Sequence, residues 1–187
     1  METTVNTTQR PIKVGIRGIA GMLGRRLALD IEANPDMEVA FGVAKNDKTL
    51  THLSGLMATV SEETRKRLKE YLYMEENRKT VRDVNAQRHE SFKPLDQLPS
   101  LNTLCDVLVD TTRRPPGVRN VFDERFQSFK GAVLLQSGEY PRGRLISPPA
   151  IEPENDETAR EPNIYRQGDC VLSGTVPVLS AIAPIVN

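Results

Sequence analysis

Apolar residues fall along this chain in short runs divided by polar or glycine-rich breaks. Ile12-Lys-Val-Gly-Ile16 reads as a short buried strand. After a glycine-rich turn, Arg25 to Ala33 reads as a helix with Leu23, Leu27 and Ile31 on one face, ended by Asn34-Pro35-Asp36. Met37 to Val43 alternates and predicts a second strand. Strand, turn, helix and strand make one βαβ unit of about 30 residues.

From Leu56 to Lys93 there is neither Gly nor Pro. Ser61 is placed to cap a helix, with Glu62 and Glu63 in a first turn where the helix dipole favours negative charge. Leu68, Tyr71 and Leu72 continue at helical spacing, and Lys66/Glu70 and Glu75/Lys79 are i,i+4 pairs. This reads as a solvated amphipathic helix rather than a partner-binding one. Thr80 to Val84 reads as a short strand, and Pro94 to Leu104 as a short helix and turn. Cys105 to Thr112 predicts a buried strand ending in the polar residues Asp110, Thr111 and Thr112. Gly117 to Phe129 predicts a helix, with Val118, Val121, Phe122 and Phe126 on one face, and Gly131 to Leu135 a further strand. The Pro-dense stretch 141–167 reads as an irregular surface excursion. Val171 to Val186 is apolar and opens a helix near Val176, with Pro177 in its first turn and Pro184 near its end.

Strands alternating with helices predict an α/β fold, a Rossmann-type, mainly parallel sheet with helices on both faces. Residues 1–10 read as a flexible polar N-terminus. Residues 11–187 read as one such domain, carrying the Pro-rich loop 141–167 and the start of a C-terminal helix. In this architecture ligands bind at the carboxyl ends of the strands. The places to look are Gly18 to Gly24, Val43 to Asp47, Thr111 to Pro115 and Gln136 to Glu139.

Composition narrows the function classes. The 187 residues hold 25 Lys+Arg against 25 Asp+Glu, so no net basic field draws the chain to nucleic acid. Hydrophobic residues at 38% suit a globular protein with a modest core, and no run approaches the length of a membrane span. The Thr-rich N-terminus lacks the apolar centre of a signal peptide, so a cytoplasmic location is expected. Two cysteines make no disulfide framework, and two histidines without a nearby cysteine make no metal site.

The glycine turn Gly18-Ile19-Ala20-Gly21-Met22-Leu23-Gly24 is the strongest chemical signal. Its G-x-x-G-x-x-G spacing permits a tight turn, lets backbone approach a pyrophosphate and lets the helix pack on the strand. The helix N-terminus then offers free N–H groups to phosphate. NAD or NADP is the expected cofactor. Lys45, at the end of the second strand, is placed to accommodate the 2′-phosphate of NADP, and is equally readable as a solvated surface lysine. Arg25 and Arg26 read as helix-surface residues that can also attract phosphate. Thr111, Thr112 and Arg113 are candidates to contact adenine, ribose or phosphate, or form a capped turn into the next helix. Gln136 and Gly138 close the following strand. Cys170, before an apolar helical stretch, is the candidate nucleophile, since a thiol at a helix N-terminus has a lowered pKa. Read alone, it is also an ordinary small hydrophobe. Cys105 reads as core.

These segments, in this order, resemble archaeal-type glyceraldehyde-3-phosphate dehydrogenase over roughly Ile12 to Ile185. The resemblance rests on Ile12 to Arg26, on Asp36-Met-Glu-Val39, on Cys105 to Asn120 with its Asp106-Val-Leu-Val-Asp-Thr-Thr112 and Gly117-Val-Arg-Asn120, and on Leu134 to Glu139 followed by Cys170 and Gly174. It implies a Rossmann-type cofactor domain and nicotinamide-dependent oxidation of a phosphorylated aldehyde through a cysteine thiohemiacetal and thioester, with phosphate as acceptor. Cys170 matches the nucleophile, Gly18, Gly21 and Gly24 the phosphate-binding turn, and Lys45 the region that selects between NAD and NADP. The turn has one residue more than that family's pattern, and Val171-Leu172-Ser173 replaces its Thr-rich run. Neither His52 nor His89 matches its general base, so the resemblance implies that the family's catalytic domain is absent from this chain. A second domain, on a homo-oligomer or a partner chain, would complete the site. No nucleic acid or membrane partner is expected. Two alternatives stand beside this reading. One is a non-catalytic binding or assembly protein on the same fold. The other is a reductase resembling dihydrodipicolinate reductase, a family with the same glycine spacing and a Thr-Arg-Pro-like run comparable to Asp110 to Pro115.

Overall fold

The computed structural model describes residues 10–46, 52–88, 90–112 and 128–136, with the backbone alone of Arg144–Ile146 and Ile164–Gln167. One sheet runs through them. Its strands are β1 (Ile12–Arg17), β2 (Met37–Ala44), β3 (Leu72–Met74), β4 (Lys93–Pro94), β5 (Val107–Asp110), β6 (Ala132–Leu135), β7 (Arg144–Ile146) and β8 (Ile164–Gln167). Their spatial order is β4-β3-β2-β1-β5-β6-β8-β7, and every neighbouring pair is parallel. The chain builds outwards from β1 to β4, then crosses back to lay β5 on the other side of β1. This is a Rossmann-like α/β sheet whose direction of winding reverses between β1 and β5.

Both faces of the sheet are buried at β1, β2, β3 and β5, which is why these strands are near-continuous apolar runs. On one face Val14, Ile16, Val39, Leu72 and Met74 pack against Ala28 and Ile31 of α1 (Met22–Glu32), Leu56 of α2 (Leu53–Thr59), Leu68 of α3 (Glu62–Glu70), and Val81 and Val84 of α4 (Arg78–Arg88). On the other, Phe41, Val43, Tyr73, Leu108 and Val133 are covered by Leu95 of a 3-10 turn (Leu95–Gln97), Leu98, Leu101 of α5 (Leu101–Leu104) and Phe129. Cys105 ends α5 and is buried with this second group, so β5 begins at Val107 rather than at the cysteine.

Several elements differ from the sequence expectation. Helix α1 starts at Met22, three residues before Arg25, and its buried stripe is Gly24, Ala28 and Ile31, while Leu23 faces out. Ser61 caps α3 as expected, its Oγ accepting the Thr64 N–H at 3.1 Å. The helix stops at Glu70, however, because Leu72–Met74 pairs with Gly42–Ala44 of β2, and that ladder outweighs the helical spacing of Tyr71 and Leu72. Thr80 to Val84 is helical, not a strand. Asn77 Oδ1 accepts the Thr80 N–H, and Val81 and Val84 bury one face of α4 at a spacing of three, so burial overrides β-branched propensity. Within the Pro-dense stretch, β7 and β8 are strands of the sheet. Arg10, the described residue of segment 1–10, is tied to Asp106 at 2.7 Å. Most of the expected helix 117–129, the expected helix near Val176, and Met1 to Gln9 lie outside the described residues. No helix among the described residues is long and apolar enough to cross a membrane.

Candidate functional site

The end of β1 meets the glycine turn where the winding reverses. Gly18 has φ +84°, a left-handed conformation that glycine adopts without strain. Its N–H donates to the Val43 carbonyl at 2.7 Å, and the Ile19 N–H reaches the same oxygen at 3.2 Å. The Gly21 N–H donates to the Gly18 carbonyl at 2.8 Å, and the Arg25 N–H to the Gly21 carbonyl at 3.0 Å, closing the first turn of α1. No side chain caps this helix. The N–H groups of Met22, Leu23 and Gly24 meet no acceptor among the described residues, and no acidic residue lies in the first turn. Met22 is 75% and Leu23 50% exposed beside them.

The glycines also keep the space tight. A Cβ on Gly24 would fall on the Gly18 carbonyl and within 2.8 Å of the Ile19 Cα. A Cβ on Gly18 would meet the Thr111 Oγ1 at 2.6 Å and the Thr112 Cγ2 at 2.9 Å. The glycines therefore let the start of α1 pack directly on the backbone at the end of β1 and let Thr111 and Thr112 approach Gly18. Ile19 and Ala20 point away from the turn. Both are buried in the core, and Ile19 fills the space beside Gly42.

Beneath the turn lies a buried ionic array. Arg17, the last residue of β1, is 3% exposed. Its Nε and NH2 groups donate to the two carboxylate oxygens of Glu75 at 2.5 and 2.9 Å. Its NH1 donates to Asp110 Oδ2 and to Thr112 Oγ1, both at 2.6 Å. Asp110 Oδ1 in turn accepts the N–H and hydroxyl of Thr112 at 2.9 and 2.6 Å. Burial disfavours the charge on Arg17, but its hydrogen bonds and attraction to Glu75 and Asp110 outweigh that, and its pKa is raised. Thr111 completes the floor. Its hydroxyl donates to the Arg17 carbonyl at 2.9 Å and lies 3.3 Å from that of Gly18.

The structure thus brings Gly18 to Gly24 together with Thr111 and Thr112, whose hydroxyls are engaged by protein partners. Lys45 is exposed just past β2. Gln136 follows β6, half-buried, with its N–H on the Asp110 carbonyl at 2.9 Å. Arg25 points its Nε back at the Gly21 carbonyl, 3.4 Å away, and Arg26 pairs loosely with Asp30 on the exposed face of α1. Arg113, Gly138 and Cys170 lie outside the described residues. Cys105 is core as expected, and burial pushes its thiol up to about 12.

Sequence reasoning passes over Arg17, takes Glu75 only as a helical partner of Lys79 and Asp110 only as a polar strand end. The available signal is a charged residue ending an apolar strand directly before a glycine turn. The expected i,i+4 pair of Glu75 with Lys79 does not form: α4 begins at Arg78, so Glu75 lies outside the helix, and its carboxylate is turned to Arg17. Glu75 also borders a cleft of about 350 Å³ at the ends of β3 and β4, lined by Glu76, Arg78, Pro94, Leu95 and Asp96. The chain matches no protein-family model, and no curated protein matches its sequence.

Proposed function

We propose that this chain binds a nicotinamide dinucleotide, NAD or NADP, across the carboxyl ends of β1 and β5. The observation that carries the reading is the uncapped N-terminus of α1, presented behind a left-handed Gly18 at the point where the sheet reverses. The N–H groups of Met22, Leu23 and Gly24 hold the diphosphate, and the helix dipole favours its charge. Gly18 and Gly24 let it approach the backbone. Met22 and Leu23 offer apolar surface to the rest of the ligand, and Lys45 lies on the ribose side, past the end of β2. When bound, the nicotinamide accepts or donates a hydride.

The resemblance to archaeal-type glyceraldehyde-3-phosphate dehydrogenase extends the proposal to aldehyde oxidation. The Cys170 thiolate would add to the aldehyde carbonyl to give a thiohemiacetal; loss of hydride to the nicotinamide and of the hydroxyl proton to a base would leave a thioester, which phosphate would cleave to an acyl phosphate with the thiolate as leaving group. A general base comes from a second domain on this polypeptide or another. Fluorescence titration with NADH and NADPH tests the binding reading. Saturable binding at sub-millimolar concentration supports it, and no binding of either at millimolar levels removes it. Loss of aldehyde-dependent NADH formation on Cys170→Ser tests the chemical step separately. Activity that survives the substitution excludes that nucleophile.

A further inference from the structure

We infer that Arg17 is a positioning residue of the dinucleotide site, fastening the ends of β3 and β5 to the strand that carries the glycine turn. This rests on the dinucleotide reading. The three partners reach Arg17 from two distant places in the chain. Glu75 follows β3, Asp110 ends β5, and Thr112 lies two residues beyond. The guanidinium bridges from Glu75, on the far side of β2, to Asp110 on the neighbouring β5.

Burying this array is not explained by stability. Taking a guanidinium and two carboxylates out of water is costly, and well-packed apolar residues of similar volume serve a core as well or better. What the array does provide is position. The Arg17 carbonyl accepts both the N–H and the hydroxyl of Thr111, while its side chain holds Thr112 and Asp110. Residues 110–112 are thereby locked against Gly18, whose missing side chain leaves room for both threonines. The turn has no side-chain cap of its own, so a shift of Thr111 moves Gly18 and, through the Gly21 N–H on the Gly18 carbonyl, the start of α1.

The geometry requires arginine. One edge of the fork, Nε and NH2, takes the Glu75 carboxylate, and NH1 takes Asp110 and Thr112 on the other side. A lysine ammonium cannot span both. Because Nε, NH1 and NH2 each donate to a protein acceptor, Arg17 acts through the turn rather than on the ligand.

The test compares the full-length wild type with Arg17→Lys, Arg17→Met and Glu75→Gln. Dissociation constants for NADH and ADP are measured well below each melting midpoint. Arg67→Lys is the control, since Arg67 holds an ion-pair array with Glu32 and Glu38 away from the turn. The expected result is about tenfold weaker binding of both ligands in Arg17→Lys and Glu75→Gln, equivalent to one charge-assisted hydrogen bond lost at the turn. Arg67→Lys should lose melting temperature without losing affinity. If Arg17→Met does not fold, the lysine and Glu75→Gln variants still decide the matter. Unchanged affinity in both, with a wild type that binds, overturns the role of Arg17 alone. A wild type that binds neither ligand overturns the dinucleotide reading and this inference with it.

Discussion

The ring of Phe41 occupies the space that a side chain on Gly15 would need. The two residues are partners in the β1–β2 ladder, and a Cβ on Gly15 would press on Phe41 Cε1 and Cζ, against the edge of the ring. Phe41 stands edge-on to Tyr73, with centroids 6.3 Å apart and planes at 86°. Gly15→Ala should therefore destabilise the protein by about 1–3 kcal/mol, the cost of overpacking a filled core. Denaturant melts check this. Adding Phe41→Leu should recover part of the loss, and a double variant no better than the single one would show that the ring is not the obstacle.

Gly24 carries the same demand into the site. A methyl there presses on the Gly18 backbone, which cannot turn aside as a flexible side chain does. Gly24→Ala should lift α1 from the turn, lowering the melting temperature and weakening NADH binding together. A variant that melts early and binds normally would separate the turn from the ligand.

The cap on α3 gives a stability prediction remote from the site. Ser61→Ala removes the acceptor for the Thr64 N–H and should cost about 1 kcal/mol, or about 2–4 °C in melting temperature. Thr64 sits under this cap, its own hydroxyl on Glu32, so the loss should also loosen α3 against α1. Hydrogen exchange at Thr64 reads that directly.

Asp106 sets a pH dependence. The Arg10 guanidinium and the Lys13 N–H hold its carboxyl below the usual range. A depressed folded-state pKa adds stability above the ordinary carboxylate value near about 4, and that stability disappears as pH falls through the depressed value. The advantage of wild type over Asp106→Asn should thus be full at neutral pH and shrink in acid. A gap that does not change down to about pH 2 would remove the carboxylate as its source.

Thiol labelling separates the two cysteines. Burial holds the Cys105 thiol near 12, so it should stay unlabelled by iodoacetamide at pH 7 until the protein unfolds. Under the aldehyde proposal, Cys170 is the thiol that reacts in the native state. Native labelling should vanish in Cys170→Ser.

Four strands, β1, β2, β5 and β6, were legible because they are short apolar runs at βα spacing, and the glycine turn because its spacing is local; β3, β4, β7 and β8 are too short or too polar to stand out. What escaped the sequence was decided at a distance. Leu68, Tyr71 and Leu72 have the spacing of a helix, yet Leu72 has the partner of a strand, and only the β2 ladder decides where the helix ends. Val81 and Val84 have strand propensity and a helix's burial. Leu23 looked like a buried helix position, yet the tight turn buries Gly24 instead. Arg17, Glu75 and Asp110 are separated by 58 and 93 positions from Arg17, so no window of sequence shows them as one array.

The position of β1 has a consequence for how the molecule is made. As the chain leaves the ribosome, β1 can pair with β2, and β3 and β4 can follow, before β5 exists. Val14 to Arg17 then wait for Val107 to Asp110, and until those residues emerge the central strand of the finished sheet is an open edge. That edge is apolar and carries Arg17 with only one of its two carboxylates. The nascent half is therefore most exposed to pairing with a second chain during this interval, and it closes when β5 docks and brings Asp110 to Arg17.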